Sequence, residues 1–526
     1  MDSLSIAGLL AHHARYQPTA TAVVFESERL DWRSFAARSS QLAQAMAQAG
    51  VRPGDRVATV LANCLELLTI YWACADLGAV AVPLSPLLQR SGLQSLLADA
   101  APRVVFTSAA ALADVHAAVA QCGTTTPEFP RLVWVGADGA GAACAGAQAY
   151  AQAYVQFIGA CGALELTPQL TPDHPCNIMY TSGTTGQPKG ILLTHRVRAH
   201  YATLMASIFR VTPESVVLHT GAIVFNGAYV MMMPAFAQGA RYVLHAQFDA
   251  RAFVASVARE KVTHTMLVPS QIAAILDLPD LDPLQLASLQ VVLSLGAPLP
   301  LARKQALEAL LPGRLHELYG LTEGFVTVLD RRDTQRKLGS VGVPPPFFEL
   351  RIVREDGSEA DVGETGEIAG RGPLLMSGYY QRADLTEQTI RDGWLYSGDI
   401  GRIDADGYLY LVDRKKDMID SGGVKVYPRD IEEVIATHPD VAEVVVFGVP
   451  DDKWGETPFA VVQMKQAFGT VCTPEQLRDW INVRVAARYQ RVSAVALVSS
   501  FPRNAAGKIL KRELRAPYWE GRERAI

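Results

Sequence analysis

The chain has 526 residues, 49% of them apolar and 19% charged, a globular mixture that excludes a largely disordered chain. At about 150 residues per domain, its length suggests three or four units. The net charge of −5 gives no broad electrostatic reason to bind nucleic acid or an anionic membrane, although local basic patches can still hold phosphates.

The opening stretch, MDSLSIAGLLAHHARYQP, carries Asp2 where a secretory signal would carry positive charge. Leu4, Ile6, Leu9 and Leu10 fit an amphipathic helix, interrupted by His12 and His13. From 30 to 110, helical stretches alternate with short β-rich runs. Asp31-Trp-Arg-Ser-Phe opens a helix rich in Ala and Gln. VATVLA reads as a strand, LELLTIYWACADLGA as a helix and VAVPL as the next strand. This βαβ rhythm favours a parallel sheet covered by helices. The stretch 136–163 is rich in Ala and Gly with few apolar anchors, and is expected to be a surface excursion.

NIMYTSGTTGQPKGILLTH, residues 177–195, is the most informative segment. A β-rich run ends at Tyr180 and is followed by Thr181, Ser182, Gly183, Thr184, Thr185 and Gly186, then Pro188-Lys189-Gly190. The glycines let backbone approach an anion, N–H and hydroxyl groups donate to phosphate oxygens, and Lys189 adds charge. It is not a Walker A loop, because Pro188 stands where the second Gly of that motif belongs and Gly190 where its Ser/Thr belongs. The bland alternative is a polar turn between strand and helix.

The rhythm resumes with VVLHTGAIVF, ARYVLHA, THTMLVP and LQVVLSLGAPL, each followed by a helical segment. Near 340 the texture changes to short antiparallel strands with Asp-Gly and Gly-rich turns: FELRIVREDG, GETGEIAGRG and DGYLYLVDRKKD. The last 110 or so residues carry their own helix, PRDIEEVIATH, and strands, enough for a small α+β domain. The expected fold is therefore α/β: a large N-terminal domain of helix-covered sheets with a β-rich subdomain, residues 1–415, and a C-terminal domain, residues 416–526. The longest apolar stretch, 222–236, is broken by Asn226 and Gly227 and falls short of the roughly 20 residues a membrane span needs. The seven cysteines show neither a CxxC pair nor metal-ligand spacing, which fits a reducing, cytoplasmic setting with no structural zinc.

The 177–195 string resembles the signature of the adenylate-forming superfamily, which includes acyl-CoA synthetases, peptide-synthetase adenylation domains and beetle luciferase. Other motifs follow in that family's order: LYGLTEG at 318–324, WLYSGDIG at 394–401, DRKKDMIDSGGVKVYP at 413–428 and NAAGKILKREL at 504–514. The resemblance implies an AMP-forming acid–thiol ligase. A carboxylate attacks the α-phosphorus of ATP to give an acyl-adenylate and pyrophosphate, and a thiol then displaces AMP. Its implied substrates are ATP, coenzyme A and a small carboxylic acid, with Mg2+ as cofactor; no nucleic acid or membrane span is expected, and a homodimer is left open.

The resemblance assigns roles residue by residue. Thr181–Gly186 would form a lid over the β- and γ-phosphates, with Lys189 nearby. Glu323 would hold magnesium, Thr322 would donate to the α-phosphate, and Tyr319-Gly320 would lie against adenine opposite Gly296-Ala297-Pro298. Asp399 would accept both ribose hydroxyls, beside Arg414; a carboxylate has two acceptor oxygens, which suits a vicinal diol. Lys508 would bridge carboxylate and α-phosphate. Ala506 stands where many relatives have Ser or Thr, so any hydroxyl role there is absent. Lys416 occupies the hinge about which a mobile C-terminal domain would turn, bringing Ser421, Gly422 and Gly423 to the thiol tunnel.

The acyl pocket is less legible. Phe225 stands where many relatives have His in a Pro-Leu-Phe-His string. With Asn226, Gly227, Ala228, Met231 and Leu295 it suggests an apolar slot, while a core role for Phe225 stays open. Leu318 precedes Tyr319, so the Arg that would meet a second, malonate-type carboxylate is missing there. The favoured acid is a hydrophobic monocarboxylate: medium-chain fatty, aromatic or alicyclic. Two alternatives remain: a stand-alone enzyme loading a carrier protein, and a non-catalytic nucleotide-binding relative, against which the Lys189, Glu323, Asp399 and Lys508 set argues.

Overall fold

The β-branched runs of the first 330 residues become strands of two sheets. The structure, a computed structural model, describes residues 5–121, 130–136, 151–159, 170–181, 188–465, 472–503 and 509–520. Contacts divide the chain into two units: Met1–Thr334 with Pro345–Phe348 and Arg371–Leu395, and Gln335–Pro344 with Glu349–Gly370 and Tyr396–Ile526. The 415/416 position falls inside the second unit.

In the first unit, one sheet runs in the order Val326–Leu329, Leu315–Gly320, Val291–Ser294, His264–Leu267, Val216–His219, Arg241–Leu244, Thr21–Phe25, Glu28–Asp31. Its inner pairs are parallel and its two edge pairs antiparallel. The other runs Gly378–Tyr379, Lys189–Thr194, Pro175–Thr181, Val80–Leu84, Arg56–Val60, Val104–Ser108, Arg131–Val135, Ala151–Ala153. Val80–Leu84 and Val291–Ser294 are buried at every position, which is why they read as unbroken apolar runs rather than alternating ones.

Helices Leu65–Leu77 and Tyr229–Gln238 are apolar on nearly every side, and a helix of that kind must be buried on every side. They share one apolar cluster with side chains of both sheets, and Trp72 lies 5.0 Å from Phe236, ring centre to ring centre. Helix Trp32–Gln48 starts where expected because the Asp31 carboxylate accepts the Ser34 N–H at 2.7 Å.

Two expectations need correction. The N-terminal helix spans only Leu9–Tyr16, since Gly8 sits at φ 81° and stops it, yet Ile6 is buried ahead of it. The 136–163 stretch is not wholly an excursion. Ala151–Ala153 adds a strand, and Phe157 of helix Tyr154–Gly159 is buried 5.8 Å from the Phe106 ring. Phe157 and Tyr154, both against the Phe106 ring, outweigh the small residues around them.

The second unit contains most of a sheet of Glu349–Val353, Gly366–Arg371, Trp394–Ile403 and Leu409–Arg414. It also holds a sheet ordered Val424–Val426, Ile419–Ser421, Gly455–Met464, Val441–Asp451, with Val495–Val498 parallel to Gly455–Met464. Helices Pro428–Ile435 and Pro474–Arg484 cover it through Ile431, Ile435, Leu477 and Ile481. Among the described residues no helix is long and apolar enough to cross a membrane.

Candidate active site

Four neighbouring strands of the first sheet, Val216–His219, His264–Leu267, Val291–Ser294 and Leu315–Gly320, run parallel, so the segments after them leave from one edge. That edge gathers Phe225–Gly227, Leu295–Pro298 and Tyr319–Glu323, which lie far apart in sequence. Open parallel sheets bind ligands beyond the carboxyl ends of their strands. Gly296, Ala297 and Pro298 are exposed there, and Tyr319 is half-buried with its ring roughly perpendicular to that of Phe325. Phe225 is half-buried and packs on the core, whereas Ala228 and Met231 lie wholly within it. A Cβ on Gly227 would fall 2.9 Å from Leu295 Cδ1, so a larger residue would push into that contact.

The turn carrying Glu323 is closed by hydrogen bonds from Gly324 N–H to Leu321 O and from Leu321 N–H to Phe325 O. Its main chain is clamped by Met376 N–H, which donates to Glu323 O at 2.8 Å. The Glu323 carboxylate accepts the Tyr379 phenol at 2.8 Å. Burial, with the Glu323 charge beside it, pushes that phenol well above its ordinary range, so it stays a donor. Tyr379 is not visible as a site residue in the sequence, because a lone Tyr in a two-residue strand carries no distinguishing pattern.

The phosphate-loop string joins two antiparallel strands, with Thr181 opposite Lys189. The segment after it is the strand Lys189–Thr194, and the next described helix begins at His195. Ser182, Gly183, Thr184, Thr185 and Gly186 lie outside the described residues. The base of the hairpin is anchored: Tyr180 donates its phenol to Asp99 at 2.5 Å, and Arg382 holds the same carboxylate at 2.8 Å. Gly190 lets the Tyr180 ring lie close, since a Cβ there would meet it at 3.1 Å.

In the second unit, Asp399 and Arg414 face each other directly across two antiparallel strands, with Nε 3.3 Å from Oδ1. The chain before Asp399 is fixed by Gly398 at φ 70° and by its N–H on Glu367. Asp413, beside Arg414, accepts the Arg429 N–H at 3.0 Å, and burial pushes its carboxyl up to about 6. Lys416 is exposed. Gly422 and Gly423, at φ 64° and 82°, make a two-residue turn between Ile419–Ser421 and Val424–Val426. Ser421 is buried beside that turn, and a Cβ on Gly422 would meet the Trp454 ring at 2.7 Å. Lys508 lies outside the described residues.

Comparison with known proteins agrees with this layout. The family model for AMP-binding enzymes matches residues 10–380, and that for the AMP-binding enzyme C-terminal domain matches 430–508. A feruloyl-CoA synthase from Amycolatopsis is 35% identical, over 95% of this chain and 96% of its own. An indoleacetate–CoA ligase from Aromatoleum aromaticum is 33% identical over 96% of both. ATP-bound MatB from Rhodopseudomonas palustris superposes with a TM-score of 0.86 at 26% identity, covering 97% of this chain and 98% of that one. The sheet edge, the ordered motifs and these matches together mean that the chain belongs to the AMP-binding enzyme family, as an AMP-forming acid–CoA ligase of the adenylate-forming superfamily.

Proposed function

We propose that this ligase activates a hydrophobic monocarboxylic acid, whether medium-chain fatty, aromatic or alicyclic, and passes the acyl group to coenzyme A. The observation that carries this reading is the slot at the sheet edge. Gly227 packs on Leu295, Phe225 keeps part of its ring exposed, and Leu318, where a second carboxylate would need a cation, is buried. Relatives named for ferulate, indoleacetate and long-chain fatty acids support it.

In the first step a carboxylate oxygen attacks the α-phosphorus, the bond to the β-phosphate oxygen breaks, and pyrophosphate leaves. Two anions must meet, so the protein supplies donors and charge where they converge. Thr322 donates to the α-phosphate, Thr181–Gly186 and Lys189 hold the outer phosphates, and Tyr319 with Gly320 and Gly296–Pro298 holds adenine. Asp399 and Arg414 bind the ribose and Lys508 bridges the reacting groups. In the second step the thiol sulfur attacks the acyl carbon, its proton is lost, and AMP leaves on the cleaved C–O bond; Ser421–Gly423 line the thiol's approach after a turn about Lys416.

Glu323 suits magnesium, because that ion is usually held by one or two carboxylates with phosphates and water, and the Tyr379 phenol already orients this one. Bound there, the metal would neutralise charge on the phosphates. Tyr379→Phe should therefore raise the magnesium concentration for half-maximal adenylation roughly tenfold, the usual scale for losing a group that orients a metal ligand. An unchanged magnesium titration would remove Tyr379 from this role.

Asp399→Asn turns one acceptor oxygen into a donor facing a ribose hydroxyl. ATP binding should weaken on the order of tenfold, as for losing a hydrogen bond to a charged group, while the KM for the acid stays within about twofold. Equal ATP affinity by calorimetry would overturn the ribose assignment. The function itself is tested by AMP release across a panel of carboxylic acids, with free CoA and with a carrier protein as thiol. Preference for a charged or dicarboxylic acid would sink the hydrophobic reading, and turnover with carrier alone would replace CoA as acceptor.

A further inference from the structure

Arg198 lies in helix His195–Phe209 and is wholly buried. Arginines at such depth are normally paired with a carboxylate, because an uncompensated cation away from water is costly. Among the described residues Arg198 has no such partner. Its Nε donates to Asn177 Oδ1 at 2.7 Å and its Nη1 to Asn226 Oδ1 at 2.9 Å. Its guanidinium lies 3.8 Å over the Tyr229 ring and 5.1 Å from the Tyr201 ring. Nη2 makes no hydrogen bond to any described residue. Among the described residues, the groups facing the charge are neutral: two amides, two phenols and the buried Cys176 thiol.

This charge touches the edge where the acyl slot lies. Asn226 connects Arg198 to the slot: it accepts from Arg198 and directly precedes Gly227, which packs on Leu295, and its Nδ2 donates to Tyr201 Oη at 3.0 Å. Burial raises the Tyr201 phenol, Arg198 lowers it, and the Glu323 charge raises it again. Tyr201 therefore feels both the buried cation and the acid of the 321–324 turn. The substrate must bring a carboxylate to this edge, against the repulsion of a triphosphate. A fixed positive charge behind the wall, in a medium that screens weakly, would offset that repulsion without touching the ligand.

We propose that Arg198 is the built-in counter-charge of the acyl site, a positioning residue that acts through Asn226 and through its field to hold the reacting carboxylate. The selectivity that follows is for a carboxylate over a neutral isostere of the same shape. This rests on the acyl slot proposed above.

The test uses the full chain, the best acid of the panel and the primary amide of that acid as a competitive inhibitor. Arg198→Met keeps the stem and removes the charge. The KM for the acid should rise tenfold or more, while the KM for ATP and the inhibition constant of the amide stay within about twofold. Arg198→Lys should recover most of the loss. Asn226→Asp sets a carboxylate against Nη1 with almost no change of shape and should repeat the Met result, which keeps the test alive if Arg198→Met does not fold. A general packing role would weaken acid and amide together, and that outcome, or no change in either, overturns the proposal. If the wild-type chain turns over no acid, the proposed function fails on its own. Calorimetry of cinnamate against cinnamamide then still reads the charge: carboxylate preference lost in Asn226→Asp sustains the inference, and equal binding of both compounds by wild type refutes it.

Discussion

Lys508→Ala should abolish acyl-adenylate formation, by on the order of 10²–10³ in rate, and leave thioester formation from a supplied acyl-adenylate largely intact. The asymmetry follows from where charge develops. When carboxylate meets α-phosphate, two anions share one transition state, and a cation bridging both stabilises it far more than either ground state. In the second half-reaction the leaving group is already AMP, and a thiol attacks a carbon. The Lys508 ammonium has no comparable charge to meet there. Pyrophosphate exchange measures the first step, and CoA thioester yield from synthetic adenylate measures the second. Equal loss of both would mean that one fixed arrangement serves both reactions, and would remove the need for a hinge at Lys416.

Gly324→Ala should cost about 3 kcal/mol or more of stability and reduce adenylation by at least tenfold through Glu323. Gly324 sits at φ 118°, a conformation that a Cβ disfavours by about 1–3 kcal/mol. A Cβ there would also fall 1.9 Å from Leu374 O, and a main-chain carbonyl cannot swing aside as a flexible side-chain tip can. The turn must open, and with it goes the Met376 N–H contact that fixes Glu323. Gly313→Ala is the control. Gly313 has φ 68° but open space around its would-be Cβ, so only the backbone term, about 1 kcal/mol, should appear. Similar melting curves for the two variants would show that the close approach at Gly324 is not limiting.

Local pattern was enough for much of the fold. Strands such as Val80–Leu84 and Val291–Ser294 are buried on both faces, so their identity is written in four or five consecutive residues. Asp31 announces a helix start because a cap needs only a side-chain oxygen and an N–H three residues on. The Gly422-Gly423 turn is equally local, since two adjacent residues at positive φ are what such a hairpin requires. Where the reading failed, a few side chains decided against composition, as Phe157 did amid Ala and Gly.

The candidate site divides along the same line. In the sequence, the reaction class was legible through the resemblance to the adenylate-forming superfamily, carried by motifs that each keep their chemical groups within a few residues: an acid beside a threonine in LTEG, an acid after glycine in SGD, and hydroxyls among glycines in TSGTTG. Only the tertiary structure decided what surrounds those groups. Tyr379 reaches Glu323 across 56 positions, and Arg382 meets Asp99 across 283, separations at which no pattern in the chain records a contact. It decided as well that Arg198, one more charge on a helix when read in the chain, is buried among amides and phenols with no acid bonded to it among the described residues. Burial and the sign of neighbouring charge depend on which strands the chain lays side by side, and sequence spacing does not encode that.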